Sequence, residues 1–186
     1  MSSREIPTEL SGRCLEVKIF PLSFKEFLEF QNLKIDFASV KYSANQKIKL
    51  NKLLEEYLFY GGLPEIVLSQ KEKKFEIAQQ YYKTVIGRDI IERFKIRNEE
   101  GLKALLKLLL NSTFYSISKL YNNLKSLNYQ VGKTSLCHYL SFIENSYFLY
   151  SLPILSPKIK EQIQCPRKVY FIDNSLLHFR ELFVGQ

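Results

Sequence analysis

Three consecutive stretches in the second half of the chain repeat one apolar pattern, and they limit the fold more than any other feature. Leu102, Leu105, Leu106, Leu109 and Leu110 make the first, Ile117, Leu120, Tyr121, Leu124 and Leu127 the second, and Leu136, Tyr139, Leu140, Ile143 and Tyr147 the third. Apolar residues at i, i+3, i+4 and i+7 fall on one side of a helix, so each stretch predicts a helix with a single buried face. Asn98 can cap the first, with Glu99 and Glu100 in its first turn, where the helix dipole favours acidic groups. Asn128 to Gly132 turns between the second and the third. Tyr147 to Leu155 and Lys168 to Asp173 then read as strands around a loop holding Pro153, Pro157 and Pro166.

Three helices followed by a strand pair is the element order of a winged helix, a helix-turn-helix variant that lays its third helix in the DNA major groove. Such folds also serve as protein-interaction modules or rigid lids. In the DNA-contacting reading Lys133, Thr134, Ser135 and His138 point outward from the third helix, because the apolar positions claim its inner face. Lys119 joins them as a candidate contact, and Phe142, near the same outer face, suits a protein partner better than a phosphate backbone.

The first half carries different signals. Cys14 to Phe20 alternates, with Leu15, Val17 and Ile19 on one face, and predicts a strand ended by Pro21. Ser23 and Glu26 form a capping box, with Leu22 placed to staple against Phe27, so a short helix follows. Asn32 to Tyr42 has no clear period and reads as a surface connection. Ser43 and Gln46 repeat the capping signal before a helix whose face carries Leu50, Leu53, Leu54, Tyr57 and Leu58. Gly61-Gly62-Leu63-Pro64 stops that helix and turns the chain. Lys71 to about Arg97 predicts one longer helix, weakened at Gly87 by about 1 kcal/mol relative to alanine.

The fold class expected is therefore mainly α with a few short strands: a helical lid over residues 23–97, then a winged-helix domain over 98–173.

A formal charge of +8, from 27 Lys and Arg against 19 Asp and Glu, permits polyanion binding without specifying it. No apolar run reaches the roughly 20 residues of a membrane span, and the polar N-terminus lacks a signal segment, so the expectation is a cytoplasmic chain with no membrane partner. Cys14, Cys137 and Cys165 are far apart and odd in number, which fits free thiols, and with His138 and His178 they offer no zinc spacing.

Val131-Gly-Lys-Thr-Ser135 looks like the end of a Walker A loop, and Val169 to Asp173 like a Walker B strand. The pairing fails, because the position five before Gly132 is Leu127, where G-x-x-x-x-G-K-[ST] needs glycine, and because a helical face precedes it. Asp173 could open a metal-dependent nuclease set, but the chain reaches Gln186 before a second acidic strand. No catalytic residue and no metal ligand is assigned, and the chain alone is not expected to be an enzyme.

Taken in order, Ser11-Gly-Arg13, Pro21 to Phe27, Gly61 to Pro64, Arg88-Asp-Ile90 and Arg167 to Asp173 resemble the latter half of a known family. It is the prokaryotic AAA-type ATPases with a C-terminal domain of unknown function, part winged helix and part nuclease-like. The resemblance covers nearly the whole chain. It implies that the Walker core is missing, that the chain begins after the sensor strand with residues 1–22 as a remnant strand of that core, and that 174–186 are the truncated start of the nuclease-like part, as in the product of a broken or split gene. It implies further that Arg13 is an arginine finger, with a salt bridge at a strand start as the alternative. Gly61, Gly62 and Pro64 would then be an adenine-facing lid turn, though helix termination alone explains the glycines. Arg88 would be a nucleotide sensor or the ion-pair partner of Asp89. ATP and Mg are expected only where a separate chain supplies a Walker core; DNA, that core chain or another protein are the partners. Two alternatives remain: a freestanding winged-helix DNA-binding module and an inactive product of a truncated gene.

Overall fold

A computed structural model describes residues 17–33 and 43–178, and it is mainly helical with one small antiparallel sheet. Arg13, Cys14 and most of the 32–42 connection lie outside the described residues, as does the predicted strand up to Glu16. Its remainder, Val17 to Phe20, is exposed and forms no strand among the described residues. The chain divides into two compact units. A helical unit comprises Lys18–Tyr82 and Asp173–His178; the described part of the other, the sheet unit, is essentially Lys83–Ile172.

In the helical unit α1 (Phe24–Phe30) starts where the capping box places it: Ser23 Oγ accepts from Glu26 N–H, and the Glu26 carboxylate accepts from Ser23 N–H at 2.8 Å. The Ser23 hydroxyl also donates to that carboxylate at 2.7 Å, and this bond, with the one from Ser23 N–H, holds the Glu26 carboxyl below its ordinary range. Leu22 packs with Phe27 and Leu28, as the staple predicts, and Val67, Leu50, Leu53 and Tyr57 complete the cluster. Helix α2 (Ala44–Tyr60) is capped by Ser43, yet no residue in it is fully buried, and Leu54 and Leu58 of the expected face are exposed. The core is small and takes only a narrow stripe of the helix. Two short helical elements escaped the periodicity: α3 (Pro64–Leu68), with Pro64 in its first turn, and the 3-10 turn Asn174–His178. Helix α4 runs only from Lys71 to Thr84.

The single long helix expected through Arg97 is not one α-helix. From Val85 to Glu92 the chain is a π-helix, whose i→i+5 bonding widens the turn around Gly87, Arg88 and Asp89. Such widening is invisible to an apolar-period argument, since Ile86 and Ile90 stay buried.

The sheet unit continues with α5 (Glu99–Leu110), β1 (Phe114–Tyr115), α6 (Ile117–Ser126), α7 (Lys133–Asn145), β2 (Leu149–Leu152), α8 (Ile159–Gln164) and β3 (Arg167–Phe171). Asn98 caps α5 by accepting from Gly101 N–H and also donates to the Gln130 carbonyl, which ties the cap to the α6–α7 turn. Gly101 is needed there, since a Cβ would lie 2.5 Å from Val131 Cγ2. Leu102, Leu105, Leu106, Leu109 and Leu110 are all fully buried, as are Leu124, Leu136 and Ile143. The sheet order is β1-β3-β2, with Tyr115 opposite Arg167 and Leu149 opposite Phe171, antiparallel throughout. β1 is too short for a pattern to announce, and α8 forms inside the proline-containing loop, where no helix was expected.

Candidate functional site

The Gly61 to Pro64 turn is built by two backbone bonds and one carboxylate. Gly61 N–H donates to Tyr57 O (2.8 Å), closing α2, and Leu22 N–H donates to Gly62 O (2.7 Å). Gly62 N–H donates to Asp173 Oδ2 at 2.7 Å across 111 residues of sequence, while Ser175 N–H donates to Oδ1 at 2.9 Å. Asp173 is buried, so it sits in an acceptor-only role with two donors aimed at it. Gly61 has φ +82 and ψ −170, a backbone region close to glycine-only, and a Cβ there would lie 1.8 Å from Asp173 Oδ1. At Gly62 a Cβ would meet Leu22 O at 2.2 Å. Both glycines are therefore required by the approach of Asp173 and Leu22, a reason beyond helix termination.

Around this clasp Tyr57 donates to Leu22 O at 2.8 Å, and burial together with the Asp173 and Glu26 charges pushes its phenol up. His178 hydrogen-bonds the Phe59 carbonyl through Nε2 and lies against the Phe59 ring. Lys74, nearly fully buried, pairs with Glu56 at 2.8 Å and sits 5.0 Å from the Tyr60 ring centroid. Pro64 is exposed, whereas the N–H groups of Gly61 and Gly62 are already taken.

In the sheet unit Arg88 is exposed on the π-helix, with Nε 3.1 Å from Asp89 Oδ1, the ion pair that was one of its two readings. On α7, Lys133, Thr134, Ser135 and His138 are all exposed, and Lys119 is exposed on α6. Lys133 lies 5.3 Å from the Tyr121 ring centroid and Lys119 5.6 Å from that of Phe114, so each ammonium is held over an aromatic face while remaining open to solvent. Phe142 departs from its expected role. It stacks on Phe94 with centroids 4.1 Å apart and planes at 8°, which covers the ring that was assigned to a protein partner. Gly132 caps α7 and the segment before it descends from α6, so the Walker-like residues follow a helix, not a strand.

Sequence reasoning placed Asp173 in a Walker decoy and a nuclease set and missed its contact with Gly62. The Asx turn onto Ser175 was legible from an Asp two residues before Ser. The partner 111 residues away was not. Among the described residues no cluster of His, Cys, Asp and Glu could hold a metal, and no helix is long and apolar enough to cross a membrane.

Gly61, Gly62 and Asp173 of the clasp, the π-helix and the α7 face all fall within residues 51–183, which match a family described as a domain of unknown function, DUF8612. The chain belongs to the DUF8612 family. It is 37% identical over 174 residues to an uncharacterized protein of Methanocaldococcus jannaschii and 30% identical over 176 residues to one of Haemophilus influenzae. These alignments cover 92% and 94% of the DUF8612 chain but only 38% and 42% of the relatives. No solved structure matches it.

Proposed function

We propose that residues 98–173 form a winged helix that contacts duplex DNA through α7, joined to a helical lid of the kind found in AAA-type ATPases. The observation that carries the reading is the order α5-β1-α6-α7-β2-α8-β3 with β3 between β1 and β2 in the sheet. This order supports a winged helix, in which the third helix would be the one left to face the groove. The exposed Lys133, Thr134, Ser135 and His138 supply phosphate- and base-directed donors on that helix, and Lys119 adds charge beside it. The charge of +8 supports a polyanionic partner.

The lid reading rests on the resemblance of the Gly61 to Pro64 and Arg88 motifs and is supported by the exposure of Pro64 and Arg88. Because the glycine N–H groups are committed, the adenine-facing surface falls to Pro64, while Arg88 would sense phosphate charge. When bound, ATP with Mg would supply the energy of phosphoryl transfer, on a Walker core carried by sequence outside this chain. The relatives are more than twice as long as the aligned segment, which leaves room for such sequence. The chain alone is proposed to have no ATPase activity and to act in the cytoplasm.

Titration of labelled duplex by fluorescence anisotropy tests the DNA contact. Binding weakened by K119Q and K133Q is expected, and absence of binding at low salt contradicts it. Labelled ATP titrated against the chain alone should show no saturable binding; tight binding would contradict the lid assignment.

A further inference from the structure

A cleft of about 650 Å³ lies within the sheet unit, between the start of α6, the side of α7 and the α8–β3 connection. Its size is that of a small-molecule site, about 300–1,000 Å³ in most proteins. Glu144 of α7 and Arg167 of β3 both line it, both half-buried, and neither has an ion-pair partner among the described residues. Charges withdrawn from water are normally paired, because desolvation without a counter-charge is costly. Here a hydroxyl meets the carboxylate instead: Ser151 Oγ donates to Glu144 Oε1, and the buried Tyr115 lies opposite Arg167 in the β1–β3 ladder. Burial pushes the Tyr115 phenol up, so it stays neutral at ordinary pH. The register sets this arrangement, with Tyr115 directly opposite Arg167 and Ser151 opposite Val169.

We propose that this cleft binds a short zwitterionic peptide, its carboxylate on the Arg167 guanidinium and its ammonium on the Glu144 carboxylate. A guanidinium offers a planar fork to a carboxylate, and a carboxylate accepts up to several N–H donors from an ammonium. Ile117, Leu140 and Ile163 on the walls suit aliphatic side chains. A nucleic-acid backbone is the poorer occupant, since Glu144 would repel phosphate and a single cation faces it. The site owes nothing to the DNA or nucleotide readings and can fail or stand without them.

The test uses the full chain and calorimetry with the tripeptide Leu-Gly-Leu, alongside its N-acetylated and C-amidated forms. Saturable binding of the free peptide is expected, with each capped form about tenfold weaker or more, as for loss of one charge-assisted hydrogen-bond pair. R167M should bind acid and amide alike, and E144Q should bind amine and acetyl alike. Alkylation of Cys137, which is exposed in the same cleft, should slow when the peptide is present. Absence of saturable heat at millimolar peptide, with the chain shown folded by near-ultraviolet circular dichroism, overturns the proposal. So does equal binding of free and capped peptides to the unsubstituted chain, a comparison that needs no variant to fold.

Discussion

Asp173 is the residue on which the helical unit most visibly turns. Its two carboxylate oxygens accept from Gly62 and Ser175, and both donors are buried. Asp173→Ala should cost roughly 2–4 kcal/mol by stranding two buried N–H groups. Urea melts would measure the loss, and hydrogen exchange at Gly62 should quicken selectively; a change below about 0.5 kcal/mol would show that the clasp contributes little. Gly61→Ala should cost at least about 1–3 kcal/mol, because alanine must hold a glycine-only backbone while its Cβ displaces the carboxylate. At this scale the sequence was partly legible. The Gly-Gly stop, the Ser23 and Asn98 caps and the outward set on α7 follow from local rules. That Asp173 and Gly62 meet does not, since a single sequence holds no signal of which distant donor a buried acid will find.

At the scale of elements, helices were readable where a broad apolar face repeated over three turns, as in α5, α6 and α7, and unreadable where the element was too short to show a period. β1 spans two residues, yet it completes the sheet and puts Tyr115 beside Arg167. The π-helix was hidden for another reason: its buried residues, Ile86 and Ile90, also satisfy an α pattern. Two outcomes in pH follow. The Glu26 carboxyl is held low by Ser23, so the stability it gives α1 is present above the ordinary glutamate range and is lost as pH falls through the lowered value. Ser23→Ala should remove that acid sensitivity in a circular-dichroism titration. Tyr57, Tyr82 and Tyr115 are raised by burial, so their contribution holds below about pH 10 and is lost as pH rises further. Absorbance at 295 nm should therefore show a class of tyrosines ionising only together with loss of secondary structure.

At the scale of the whole molecule, the chain is a mainly helical member of the DUF8612 family made of two units, and the boundary after Tyr82 lies inside what looked like one continuous helix. The helical unit is discontinuous in sequence, because Asp173–His178 returns to it after Lys83–Ile172 of the sheet unit. A reader of the sequence alone sees the Gly61 turn and Asp173 as separate features; folding brings them together within the helical unit. The DNA-contacting role of α7 is the central claim, and the salt dependence of duplex binding tests it most directly. Log K plotted against log salt should fall linearly, and K119Q and K133Q should each reduce the slope by about 1. Binding that is indifferent to salt, or a slope unchanged by both substitutions, would contradict it.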